Sequence, residues 1–206
     1  MPIFVQDYPY SSLSGISFEN VEISVKGQDT LNKNSGALLF THNSFSGPAV
    51  LNASRYAETK SKISINYFCG KTSFALISDM KKHLIGSKKS VQNFLTETFN
   101  LPARFSESVT NRLSLPGAAA SLSKDDMSRI ASLITSDTFS ISGTGGFKEA
   151  MATAGGVNLC EIDLKTFESK KYPRLYIIGE ALDVDGDTGG YNIQFAFSSG
   201  YTVSYV

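Results

Sequence analysis

Over residues 1–75, apolar and polar positions alternate. Ile16 and Phe18 share one face, Val21, Ile23 and Val25 share the next, and the parity slips at Glu19–Asn20. A two-residue period predicts strands, and a parity slip predicts a bulge or tight turn where it occurs. A polar, hairpin-like connection follows at 26–36. Then come the apolar run ALLF at 37–40 and the segment KISINYF at 62–68, where Ile63, Ile65 and Tyr67 alternate with Ser64, Asn66 and Phe68. Both read as strands.

From Ser78 to Leu113 the period lengthens. Met80, Leu84 and Ile85 form one stripe, and Val91, Phe94, Leu95 and Phe99 form another at helical spacing. FSESVTNRL, after Pro102, reads as a further short helix, and SLPGAAASLS reads as a loop. Ser123 followed by Asp126, ahead of Met127, Ile130, Leu133 and Ile134, carries the capping-box signature of another helix. From about Asp137 the pattern changes again. TFSIS predicts a strand, GTGGFKEAM a glycine turn entering a helix, and ATAGGV a glycine loop. RLYIIG, 174–179, is a continuous apolar run of the kind found in parallel strands buried on both faces. Thr188-Gly189-Gly190 then opens a last helix. No internal repeat or low-complexity tract appears, and the fold class is α+β.

With 206 residues, the chain makes one domain or one domain and a small second one. Its 19 Lys and Arg balance 19 Asp and Glu, which argues against a phosphate-backbone footprint and so against nucleic acid as a partner. No apolar run approaches the roughly 20 residues of a membrane span. The start, MPIFVQDYPYSS, lacks the basic and apolar regions of a signal peptide. A cytoplasmic protein with no membrane partner is expected. Cys69 and Cys160 share no local pattern and read as reduced, partly buried thiols.

The acidic stretch LDVDGDTGGYN invites a calcium reading. Asp183, Asp185 and Asp187 fit the first three ligand positions of an EF-hand loop, but Thr188 stands where Gly is needed and Gln194 where Glu is needed. No metal is expected. A second reading uses its neighbours. Glu180, just past a strand end, can accept hydrogen bonds from sugar or ribityl hydroxyls. Thr188, Gly189 and Gly190 at a helix start offer N–H groups to an anionic or carbonyl-rich ligand. A plain structural turn with solvated acids competes with it. GTGGFK, 143–148, has Lys148 at the third glycine position of a dinucleotide fingerprint and reads as an ordinary β–α turn. No GxxxxGK[ST], GxSxG, CxxC or HExxH is present. His42, beside Ser46-Gly47-Pro48 at a helix start, is the weak catalytic or substrate-facing candidate. Its competing role is a hydrogen-bonded structural histidine. His83 reads as a helix C-terminal residue favoured by the dipole.

Four stretches together resemble one family. They are ISFENVEISV, FTHNSFSGPAVLNAS, GFKEAMATAGGVNLCEIDLKTFESKKYPRLYIIGE and LDVDGDTGGYNIQFAFSSGY. The chain is similar to the aminoacetone-oxidase-like, BaiN-type NAD(P)/FAD-dependent oxidoreductases of bacteria. That resemblance implies a flattened β-barrel with a small helical insert, both carried within a Rossmann-like FAD domain. The expected layout is barrel over 1–76, helical insert over 77–114, barrel return and connecting helix over 115–136, and the closing α/β segment of the FAD domain over 137–206. It implies FAD as cofactor and a small-molecule substrate. Thr153, Ala154, Gly155 and Gly156 would pass near the flavin, and Gly179 and Glu180 would face its ribityl chain. Thr188, Gly189, Gly190, Tyr191 and Asn192 would lie at its pyrimidine edge. The family's N-terminal GxGxxG segment has no counterpart here. Weak or absent FAD on this chain alone, and a complementary N-terminal flavoprotein chain, are therefore expected. TFSIS and RLYIIG are expected in one parallel sheet with open edges, favouring a homo-oligomer. The alternative is a non-catalytic binding module for a small molecule or protein, with FTHNSFSGP as its contact.

Overall fold

The computed structural model describes residues 1–26 and 31–205; residues 27–30 of the polar connection lie outside it. The chain divides into two compact units, Met1–Gly145 and Gly146–Val206.

The first unit is a closed antiparallel barrel. Its strands are β1 (Ile3–Val5), β2 (Ser17–Lys26), β3 (Leu31–Phe40), β4 (Phe45–Ser46), β5 (Lys62–Asn66) and β6 (Asp137–Thr144). They run around the barrel in the order β1-β4-β3-β2-β5-β6 and back to β1. The alternation read from the sequence sets which face is buried. Val21, Ile23, Val25, Ile63 and Ile65 all point inward, with Ile23 opposite Ile65 and Val25 opposite Ile63. The register of β2 against β3 shifts between Phe18 and Val21, where the parity slip lies. The two-residue β4 closes the ring, meeting β3 only at Leu39 and Phe40 and β1 only at Ile3.

TFSIS belongs to this barrel. β6 pairs antiparallel with β5 and with β1, Ile63 facing Phe139 and Ile3 facing Thr144. The expected parallel sheet with RLYIIG does not form. The alternation Asp137, Phe139, Ile141 suits a surface buried on one side, as antiparallel strands prefer.

Among the described residues, five α-helices accompany the barrel: α1 (Pro48–Ala53), α2 (Ser73–Leu84), α3 (Val91–Phe99), α4 (Ala103–Arg112) and α5 (Lys124–Thr135). Thr72 and Ser90 cap α2 and α3 by accepting from Ala75 N and Asn93 N. Ser123 and Asp126 make the reciprocal capping box at α5, and Met127, Ile130, Leu133 and Ile134 are its buried stripe. Pro48 opens α1, with Gly47 as its cap residue. α2 starts five residues earlier than its periodicity suggests and ends at Leu84. Ile85 therefore leaves the apolar stripe and stands 86% exposed.

An aromatic cluster fills the barrel interior around Tyr10, Phe40, Tyr67 and Phe105, with Tyr67 and Phe105 ring centroids 4.6 Å apart. A buried polar knot sits among them. Tyr10 and Tyr67 donate to Asp137 Oδ2, Tyr67 at 3.1 Å, and Arg112 Nη1 reaches Asp137 Oδ1 at 3.1 Å. Burial pushes the Asp137 carboxyl above its ordinary range, while the Tyr10 hydroxyl and the Arg112 charge pull it back. Sequence patterning gave no sign of this knot, because its members come from four stretches far apart in the chain, two of them connections.

The second unit is mostly turns packed on one helix, α6 (Tyr191–Val203). Its small core is Ile162, Phe167 and Leu182, with Val157, Ile177 and Phe195 against it. RLYIIG is not a strand. Tyr176 makes one isolated bridge to Glu168, and Leu175 and Ile178 are 45% and 41% exposed. An apolar run with no neighbouring strand among the described residues cannot build a ladder. Residues 145–151 form turns rather than a helix. Cys69 and Cys160 are both free and exposed, not partly buried. Among the described residues no helix is long and apolar enough to cross a membrane.

Candidate functional site

Every residue expected near a cofactor falls in the second unit, and three short contacts bring those segments together. The first joins the glycine loop to the turn after RLYIIG. Val157 bridges Leu182 in parallel, donating to Ala181 O at 2.9 Å and accepting from Asp183 N at 3.0 Å. Gly156 makes this approach possible. Its φ is +151°, and a Cβ there would lie 2.6 Å from the Leu182 carbonyl carbon. Thr153, Ala154 and Gly155 lead into the contact and are exposed.

The second contact seats Gly179 on α6. Gly179 N donates to Ser199 Oγ at 3.0 Å, Ser199 in turn donates to Ala196 O, and Gly179 stands close enough that a Cβ would meet Ala196 Cβ at 3.3 Å. Gly179 is buried, while the next residue, Glu180, is exposed. Ser199 is the buried polar residue that sequence reading missed. A serine on the buried side of an otherwise Phe- and Tyr-rich helix was the available signal.

The third contact folds the acidic loop onto the start of α6. Gly186 N donates to Asn192 Oδ1 at 2.7 Å, and Asn192 Nδ2 donates back to Gly186 O at 3.2 Å. The Asn192 amide is thereby spent on the loop, so its side chain acts as a brace. Gly189 packs over the Tyr191 ring. Gly190, at φ +90°, is the cap of α6, which carries no side-chain capping bond. No group of three His, Cys, Asp or Glu residues among the described residues could hold a metal ion.

This arrangement presents backbone more than side chains. Gly155 and Gly190 both take positive φ, and a Cβ at either would meet nothing within 4 Å. Backbone there is open to a flat ligand, and the uncapped first turn of α6 directs N–H groups and the positive end of the dipole outward. Such donors fit carbonyl oxygens, and the Glu180 carboxylate fits hydroxyls. The ring end and ribityl chain of a flavin offer both. No GxGxxG fingerprint of the kind that holds a diphosphate occurs in these 206 residues.

His42 belongs to the first unit. It is exposed on a turn tied by Thr41 Oγ1 and Ser44, with no polar partner among the described residues. The hydrogen-bonded structural role is therefore not what the fold gives it. His83 lies in the last turn of α2, as its dipole reading requires.

Residues 2–152 match the family described as HI0933-like protein barrel and H2TH domain. Among curated relatives, the chain is 34% identical to a ribosomal RNA dihydrouridine synthase of Escherichia coli over 80% of its own length and 40% of the relative's. It is 33% identical to a ribosomal RNA dihydrouridine synthase of Haemophilus influenzae over 93% of its length and 46% of the relative's. It is 28% identical to a 3-dehydro-bile acid delta(4,6)-reductase of Clostridium scindens over 96% of its length and 50% of the relative's. The chain spans about half the length of the curated relatives it matches.

Proposed function

The chain belongs to the family of HI0933-like proteins with a barrel and H2TH domain, and on that footing we propose that it is the C-terminal portion of an FAD-dependent oxidoreductase, in the BaiN-type branch. Its second unit supplies the ring side of the flavin site. The observation that carries this reading is the convergence of residues 153–156, 179–180 and 188–192 through the Val157–Leu182, Gly179–Ser199 and Gly186–Asn192 contacts. Three segments of the second unit bring glycine backbone, one carboxylate and one helix start together.

The first turn of α6 and the 153–156 loop would donate to the pyrimidine-edge carbonyls, and Glu180 would hold ribityl hydroxyls. A bound flavin would supply hydride or electron transfer, with NAD(P)H as the reductant. The protein's part is to orient the ring and keep it in place. On this reading the diphosphate and adenosine half of the cofactor would be held by other polypeptide, in the same chain or a complementary one.

The names of the relatives bear on the substrate. Dihydrouridine is uridine with its C5–C6 double bond saturated, and a 3-dehydro-bile acid delta(4,6)-reductase is named for ring double bonds of a 3-oxo compound; in both names the reduced bond is a carbon–carbon double bond conjugated to a carbonyl. The substrate class proposed here is that kind of electron-poor bond, first in a small molecule. A second reading places it in a uracil base of RNA. It is favoured by the two relatives named for ribosomal RNA and by the division of charge. Residues 1–145 hold 14 Lys and Arg against 11 Asp and Glu, while residues 146–206 hold 5 against 8.

The test is a flavin titration followed by visible absorbance. The purified chain should bind FAD weakly, and addition of the missing half should restore tight binding. A chain that binds no flavin in either form supports the alternative, a non-catalytic binding module using the Phe40–Pro48 turn.

A further inference from the structure

The two helices α2 and α3 meet at a basic tip. Between Asp79 and Glu97 the chain carries Lys81, Lys82, Lys88 and Lys89 and no acid. All four lysines are exposed, and between them Ile85 protrudes beside Gly86, which turns the chain at φ +72°. Two of the four have surface partners: Lys82 lies 3.6 Å from Asp79, and Lys89 lies 2.7 Å from Glu97. Lys81 and Lys88 have none among the described residues.

Helix stability explains only part of this cluster. Lys81, Lys82 and His83 occupy the last turn of α2, where cations oppose the negative end of the dipole. Lys88 and Lys89 do the reverse. They stand immediately before Ser90, the cap of α3, at the positive end of that helix. Cations there are disfavoured by the dipole, and Glu97 answers only Lys89, which leaves Lys88 facing solvent beside a helix start with no anion of its own among the described residues. Ser90 and Asn93 already satisfy the local capping bond.

We propose that the α2–α3 tip, through Lys81, Lys82, Lys88 and Lys89, binds the phosphate backbone of single-stranded RNA. This deepens the RNA reading of the substrate and rests on it. The zero net charge of the whole chain concealed the feature, because the excess of acid lies in the second unit. Four cations held on two helix ends can neutralise several successive phosphates, and Ile85 offers an apolar surface to a base or sugar among them. An anionic membrane would also attract such a tip, and the experiment separates the two.

The full chain, without flavin, is titrated against a fluorescent single-stranded RNA by anisotropy, and in parallel against phosphatidylglycerol vesicles. Wild type should bind the RNA with a log–log salt slope of about −3, four phosphates at about −0.7 each. The quadruple change Lys81→Glu, Lys82→Glu, Lys88→Glu, Lys89→Glu should weaken binding at least about tenfold and bring the slope near zero. The quadruple glutamine variant should move the same way with its circular dichroism unchanged. Lys148→Glu with Lys165→Glu, in the second unit, should bind as wild type. Equal binding by the glutamine variant, no salt dependence, or preference for vesicles over RNA overturns the proposal. Flavin binding is a separate measurement, so either reading can fail without the other.

Discussion

Arg112 Nη1 lies 3.1 Å from Asp137 Oδ1, tying the last residue of α4 to the first residue of the strand that closes the barrel. Asp137 is 3% exposed and also accepts from Tyr10 and Tyr67. Asp137→Ala strands two buried hydroxyls and one guanidinium, and should cost about 3 kcal/mol of stability. Arg112→Ala should cost less, about 1–2 kcal/mol, because two donors remain to the carboxylate and Arg112 is partly solvated. Urea midpoints at constant slope check both, and a larger loss from Arg112→Ala would refute the ranking.

Gly156→Ala should detach the glycine loop. The new Cβ would collide with the Leu182 carbonyl, and a positive φ adds strain of about 1–3 kcal/mol. Gly190→Ala meets open space and should cost only about 1 kcal/mol, the price of φ +90°. Amide exchange at Val157 and Asp183 should accelerate in the first variant and stay near wild type in the second. If the proposed flavin site is right, flavin affinity should fall in both.

Two carboxylates should give opposite pH signatures. The Ser123 hydroxyl and N–H hold Asp126 below its ordinary value. Its contribution is present above that value and is lost as pH falls through the lowered one. Burial raises Asp137. Its contribution is present below the ordinary value and is lost as pH rises through the raised one. Asp126→Asn should therefore flatten the acid limb of stability against pH, and Asp137→Asn should steepen it. Thermal melts between pH 3 and 6 (roughly the window of carboxylate titration) give the comparison.

Helix α6 shows solvent an apolar stripe of Ile193, Phe197 and Tyr201, with Phe197 75% exposed. Apolar area of this kind favours association. Sedimentation velocity should show mass rising with concentration for the isolated chain. Ile193→Ser with Phe197→Ser and Tyr201→Ser should give a monomer, and a wild-type monomer at every concentration would count against the expectation.

Local signals were legible where a single element sufficed. The parity slip at Glu19–Asn20 became the register shift of β2, and Ser123 with Asp126 became a capping box. The start of α6 after Gly190 was equally readable. What failed depended on distant neighbours. RLYIIG has the composition of a buried strand, but composition cannot supply partner strands. TFSIS showed strand period without showing which sheet it joins. The brace from Asn192 to Gly186 and the seat of Gly179 on Ser199 are contacts between elements, and periodicity carries no record of them. Ile85 was misplaced because the helix stopped one residue before it.

β1 and β6 are the first and last strands of the barrel, and they pair side by side. Gly145 N even reaches back to Pro2 O at 3.1 Å. The chain thus enters and leaves this unit through a single doorway. A module built so can be spliced into a surface loop of any host fold while the host's two flanking ends stay where they were. The sequence of such a module and that of the fold carrying it can then change almost independently.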